Sequence, residues 1–160
     1  MNLAVRSKKR LTLCVIAWLL VLFCMVAIFA LSAQVRSESA ALSRGYLDII
    51  NEFLGTHISQ KAVRKAAHTF EYFLLAVLVF NASYLTWNKR RPCFTFIFTI
   101  IYAVTDEIHQ HFVPGRGCRF SDMLIDAAGA AAGILLCLAA MSCVKKLKRR
   151  RSTCSESLLK

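Results

Sequence analysis

The sequence predicts an all-α integral membrane protein, with four transmembrane helices in an antiparallel bundle and a short amphipathic helix in the first outer loop. Three observations predict it. Hydrophobic residues make up 57% of the 160-residue chain, and the mean hydropathy is +0.51, more apolar than ordinary soluble domains. Four stretches, 11–31, 67–86, 93–113 and 123–144, are apolar over about twenty residues each, roughly 30 Å as a helix and so the thickness of the hydrocarbon core. Lys and Arg gather at alternate ends of those stretches, as the positive-inside rule requires of an alternating path.

Each element has its own signal. Residues 1–10 form a basic N-terminus carrying Arg6, Lys8, Lys9 and Arg10. The apolar run that follows is longer than the core of a cleaved signal peptide, so it is read as an uncleaved anchor. The loop 32–66 contains SRGYLDIINEFLGTH, in which Tyr46, Leu47, Ile50, Phe53 and Leu54 recur at helical spacing. Asp48, Asn51 and Glu52 fall elsewhere on the wheel. This reads as an amphipathic helix of about ten residues ended by Gly55, lying in the membrane interface or capping the bundle. Ser59 is the expected cap of the second helix. The loop NKRRP turns into the third helix, with Pro92 at its start. Pro114 and Gly115 end the third helix, and Ser121 is positioned to cap the fourth. Residues 11–144 form one membrane domain, and residues 145–160 a basic tail. Short loops make consecutive helices antiparallel.

Charge sets the orientation. There are 21 Lys and Arg against 9 Asp and Glu, a formal net charge of +12. The N-terminus, the loop with Lys89, Arg90 and Arg91, and the tail hold fourteen of the basic residues. The other side holds seven: Arg36, Arg44, Lys61, Arg64, Lys65, Arg116 and Arg119. Both termini are therefore expected in the cytoplasm. Lying at helix ends, the basic runs fit contact with anionic lipid heads, and no nucleic-acid partner is expected. Of the seven cysteines only Cys118 is expected outside, without a partner, so no intramolecular disulfide is expected. The cysteines read as small packing residues.

The polar residues converge. The second helix starts AAHTFEYF, where His68 and Glu71 are i, i+3 and share a face, with Arg64 one turn earlier. The third helix ends TDEIHQHF, where Asp106, His109 and Gln110 share one face and Glu107 and His111 another. The fourth helix starts SDMLIDAAGAAAG, where Asp122 and Asp126 are i, i+4 and Gly129 and Gly133 continue the stripe. All three polar turns fall at the outer leaflet. An ionised group costs about 2.5–3.5 kcal/mol at the bilayer centre, so such a cluster is expected to pair or to line a wet cavity. The glycines let another helix approach, which places the Asp126 face inside the bundle.

Three kinds of chemistry fit these groups. His68, Glu71, His109 and Asp122 are divalent-metal ligand types, although their spacing matches no tight metal motif. Glu71, Asp106, Glu107 and Asp122 are candidates for general acid and base work. Arg116, with Arg119 or Arg64, suits the phosphate or carboxylate of a lipid-linked ligand. His68, His109, Gln110, Ser121 and Asp126 are candidate ligand contacts beside it. The alternative is a buried network that locks the helices together. An ion-coupled transporter is a further reading, which a polar path down to Asn81 and Ser83 would favour. A scaffold without a ligand is another.

The same residues carry a resemblance. RKAAHTFEYFLLAVL and TDEIHQHFVPGRGCRFSDMLIDAAGAAAG resemble the VanZ-like family of small bacterial membrane proteins. The first block is His68, Glu71 and Tyr72. The second is Asp106, Glu107, Gln110, Pro114, Gly115, Arg116, Ser121, Asp122, Gly129 and Gly133, and Ser32 and Gln34 after the first helix also fit. The likeness spans about residues 11–140 and omits the cysteines and the basic tail. It implies a multi-pass protein of the bacterial cell membrane, acting in the cell envelope. It associates the chain with antibiotic resistance, to the glycopeptide teicoplanin, by binding or modifying a surface or lipid-linked ligand.

Overall fold

The computed structural model describes residues 2–33, 49, 52–53, 59–114 and 120–157. Four long helices account for nearly all of them: α1 (Asn2–Ser32), α2 (Gln60–Trp87), α3 (Pro92–His111) and α4 (Phe120–Ser157). Among the described residues there is no strand. The expected amphipathic helix at 46–54 lies almost wholly outside the described residues; within it Ile49, Glu52 and Phe53 are helical and exposed.

The start signals act as their chemistry dictates, with one exception. Ser59 has extended backbone, and its side chain accepts a hydrogen bond from the Ala62 amide, so it caps α2. Pro92 sits in the first turn of α3, where its missing N–H costs nothing. Asn88 ends α2 in the left-handed conformation, φ 54°, which Asn tolerates better than most residues. The exception is Ser121. Helix α4 begins one residue earlier, and the Ser121 hydroxyl turns to its neighbour Asp122 instead of capping.

Two boundaries move outward from the apolar segments. Helix α1 begins in the basic N-terminus, and α4 runs through the basic tail to Ser157. Lys and Arg are good helix formers, and no Gly or Pro follows Gly133 to stop the helix.

Three helical stretches, Lys8–Ser32, Lys65–Trp87 and Ser121–Arg150, are long and apolar enough to cross a membrane. Helix α3 is not among them. Its first three turns are apolar, but Asp106, Glu107, His109, Gln110 and His111 crowd its last two and lower its hydropathy.

Helix α2 is the centre. It supplies Tyr72, Leu75, Val79 and Ala82 to a buried cluster with Val21, Cys24 and Ile28 of α1 and Ala103 of α3. From another face it supplies Ala76 and Phe80 to a second cluster with Ala130, Ile134 and Cys137 of α4. The contact with α4 is backbone-close. A Cβ built on Gly129 would overlap the Thr69 carbonyl, and one on Gly133 would lie 2.6 Å from the Phe73 oxygen. In lipid, where tails are as apolar as side chains, such close packing is what holds helices together. By contrast, α1 presents Leu13, Ile16, Leu20 and Phe23 outward, as a lipid-facing helix would.

Candidate functional site

Four helix ends meet at one end of the molecule: the end of α1, the start of α2, the end of α3 and the start of α4. The buried polar residues of the described chain concentrate there. Asp106 is the hub. Its Oδ2 accepts hydrogen bonds from Ser32 Oγ (2.8 Å), Tyr72 Oη (3.1 Å) and Gln110 Nε2 (3.0 Å). Gln110 Nε2 also donates to Ser32 Oγ, at 3.1 Å. Thus one carboxylate oxygen ties the last residue of α1 and Tyr72 of α2 to α3. Asp106 and Gln110 share a face because they are i, i+4. Their partners Ser32 and Tyr72 come from 74 and 34 residues away along the chain. No periodicity in the sequence pairs them; Tyr72 entered through the first motif block and Ser32 as a further point of the same likeness.

The other carboxylates have different surroundings. Asp126 is only 4% exposed, and its Oδ1 has no hydrogen-bond partner. Asp106 Oδ1 is likewise buried and unpartnered. Glu71 Oε2 lies 3.3 Å from His68 Nδ1, close enough for an ion pair yet not aligned as a hydrogen bond. His68, Glu107, Asp106 and Asp122 are all within electrostatic reach of Asp126, and Asp126 and Asp106 within reach of His68. The glycine contact explains the proximity, since it presses α4 against α2 within a turn of both Asp126 and His68.

Glu107 is also buried, and it is engaged in an interaction of its own. The helical wheel set Glu107 and His111 on one face; in the structure Glu107 is inside and His111 outside. The reason is the position of α3. It packs on α1 and α2 from one side and on α4 from another, so residues a hundred degrees apart are both covered.

His109 is half-buried. Its ring stacks on Phe29 of α1 at 4.2 Å, and its Nε2 has no partner. Asp122 and Ser121 form a more open rim. Ser121 Oγ donates to Asp122 Oδ1 at 3.2 Å, and Lys65 Nζ lies 3.9 Å from the same oxygen. Arg116 lies outside the described residues, and so do Arg119 and the Arg64 side chain. Of the metal-ligand types, His68 pairs with Glu71 while His109 and Asp122 stand apart from them in their contacts. Among the described residues no group of three or more His, Cys, Asp or Glu side chains is placed to hold a metal ion.

The polar groups farther along α2 behave differently. Asn81 is exposed and donates to the Val77 carbonyl, and Ser83 donates to the Phe80 carbonyl. Leu75, Ala76, Val79 and Phe80, between them and the cluster, are buried and apolar.

Chemically, the arrangement combines a fixed carboxylate with acceptors left open. The three donors on Asp106 Oδ2 hold its geometry. The open oxygens of Asp106, Asp126 and Glu71 sit where an unmade hydrogen bond is costly. Such atoms are ready to accept from a ligand.

A family model described as VanZ/LLP1 matches residues 16–142. That range takes in the four helices from the apolar part of α1 to that of α4, and every residue of the cluster. The chain therefore belongs to the VanZ/LLP1 family, as its two motif blocks imply. No curated protein and no solved structure matches it.

Proposed function

We propose that this member of the VanZ/LLP1 family is a cell-envelope protein of the bacterial membrane that binds or modifies a surface or lipid-linked ligand at its polar end. All four helices span the bilayer as an antiparallel bundle, with both termini in the cytoplasm and the polar end in the outer leaflet. The hydropathy shortfall of α3 is then the signature of the site, not of a helix outside the membrane. Glu71, Asp106, Glu107, Asp122 and Asp126 supply the acidic groups, and Arg116 an anion contact. Resistance to teicoplanin is the activity this reading anticipates.

One observation carries the reading: buried carboxylate oxygens without partners at a junction of helices. A network that only locked helices together would be expected to satisfy its own acceptors. The membrane supplies the complementary half of the argument. An envelope ligand reaches such a site from the outer headgroup layer without crossing the bilayer.

The test is teicoplanin susceptibility of cells expressing the wild type, Glu71→Gln or Asp126→Asn at matched membrane levels. Protection by the wild type alone supports the envelope role. Equal protection by all three makes these carboxylates structural, and no protection by the wild type removes the resistance role.

A further inference from the structure

The acceptors at the polar end have a shared chemistry that narrows what they bind. We propose that Asp106 Oδ1, Asp126 Oδ1 and Glu71 Oε2 form a recognition site for a primary ammonium group. This rests on the reading of the polar end as a ligand site and names the part of the ligand that enters it.

The three atoms come from α3, α4 and α2, so the site exists only when those helices are assembled. Ionised carboxylates accept hydrogen bonds and cannot donate. Asp106 is held in one orientation by Ser32, Tyr72 and Gln110, all bound to Oδ2, which leaves Oδ1 as its one open acceptor. Asp126 is 4% exposed and its Oδ1 is unpartnered. Both are therefore buried acceptors, and Glu71 Oε2, 3.3 Å from His68 Nδ1 but accepting no hydrogen bond from it, is the third. Asp106 and Asp126 lie within electrostatic reach of each other, and both within reach of His68, which pairs with Glu71. Tyr72, the neighbour of Glu71, touches Asp106, and α4 meets the α2 backbone at Thr69 and Phe73.

A small metal ion is the poorer fit. It draws its oxygen ligands to about 2.0–2.6 Å, and no three described carboxylates or histidines are grouped for that. An ammonium group takes acceptors at about 2.7–2.9 Å through three donors pointing apart, so it tolerates a wider ring. A quaternary ammonium has no N–H and cannot satisfy these oxygens.

The test uses the full-length protein in phosphatidylcholine nanodiscs and reads its melting temperature. In one arm methylammonium chloride is compared with tetramethylammonium chloride at equal ionic strength. In the other, part of the phosphatidylcholine is replaced by phosphatidylethanolamine with the same acyl chains. The expected result is saturable stabilisation by at least one primary amine and none by tetramethylammonium. Half-saturation should weaken about tenfold or more in Asp126→Asn, the size expected for a lost charged hydrogen bond. Glu71→Gln takes its place if that variant does not fold. Stabilisation only in the phosphatidylethanolamine discs identifies a lipid headgroup as the source; stabilisation by methylammonium identifies a soluble amine. Equal effects of both cations, no effect of either amine source, or an effect that survives the variant overturns the proposal. Amine binding without any change in teicoplanin susceptibility leaves this site standing and removes only the resistance role.

Discussion

The two ends of the molecule handle polarity in opposite ways. At the polar end, Ser32, Asp106 and Gln110 are all buried, and their hydrogen bonds run from side chain to side chain across helices. At the basic end, Arg10 reaches from α1 to the last carbonyls of α2, donating to Leu85 O at 3.0 Å from Nη2. Trp18 Nε1 donates to Thr86 Oγ1 at 3.0 Å, and Arg91 lies over the Trp87 ring. Those contacts are exposed, and the Arg10 bonds go to the free carbonyls of a helix end, which need donors in any case. One end caps what every helix leaves unmade. The other buries groups that no helix requires and leaves some of them open.

That contrast can be broken at three places. The largest effect is expected from Gly129→Leu. Its side chain would have to enter the Thr69 backbone, so α4 would separate from α2. The expected outcome is loss of most folded protein, measured as the monodisperse fraction after detergent extraction. A well-folded variant would mean that the polar end does not depend on this contact.

Next comes a pair of carboxylates. Asp106→Ala strands three donors and should destabilise the protein by about 2–3 kcal/mol. Asp126→Asn strands none and should change stability by less than about 1 kcal/mol. Denaturation by a strong detergent, titrated into mild micelles, measures both. If the two variants lost stability equally, Asp126 would be another structural member of the network. The smallest effect is expected from Arg10→Ala at the basic end, about 0.5 kcal/mol or less in the same titration, because water can replace an exposed donor.

Much of this was legible in the chain. Four apolar runs became four helices, Ser59 and Pro92 marked starts, and the stripe Gly129–Gly133 marked a close approach. These signals are local, so the sequence states them directly. Asp106 and Gln110 were placed together by helical spacing alone. The partners of Asp106 were not, because Ser32 and Tyr72 meet it only through the packing of three helices. Glu107 was among the candidates, but its burial beside Asp106 was not legible from a helical wheel, which assumes one covered face where α3 has two. The amphipathic stretch at 46–54 and Arg116 fall largely outside the described residues, and the reading of them rests on sequence.

The unbroken run of α4 has a mechanical consequence. Beyond Gly133 the helix continues for about 36 Å to Ser157, with no glycine or proline to bend it. Gly129 and Gly133 rest against α2 near its other end, so they act as a fulcrum close to the polar junction. A tilt of about five degrees there sweeps the far tip through about 3 Å. Small rearrangements beside Asp126 are thereby geared up into displacements of a stiff, positively charged rod at the far end of α4.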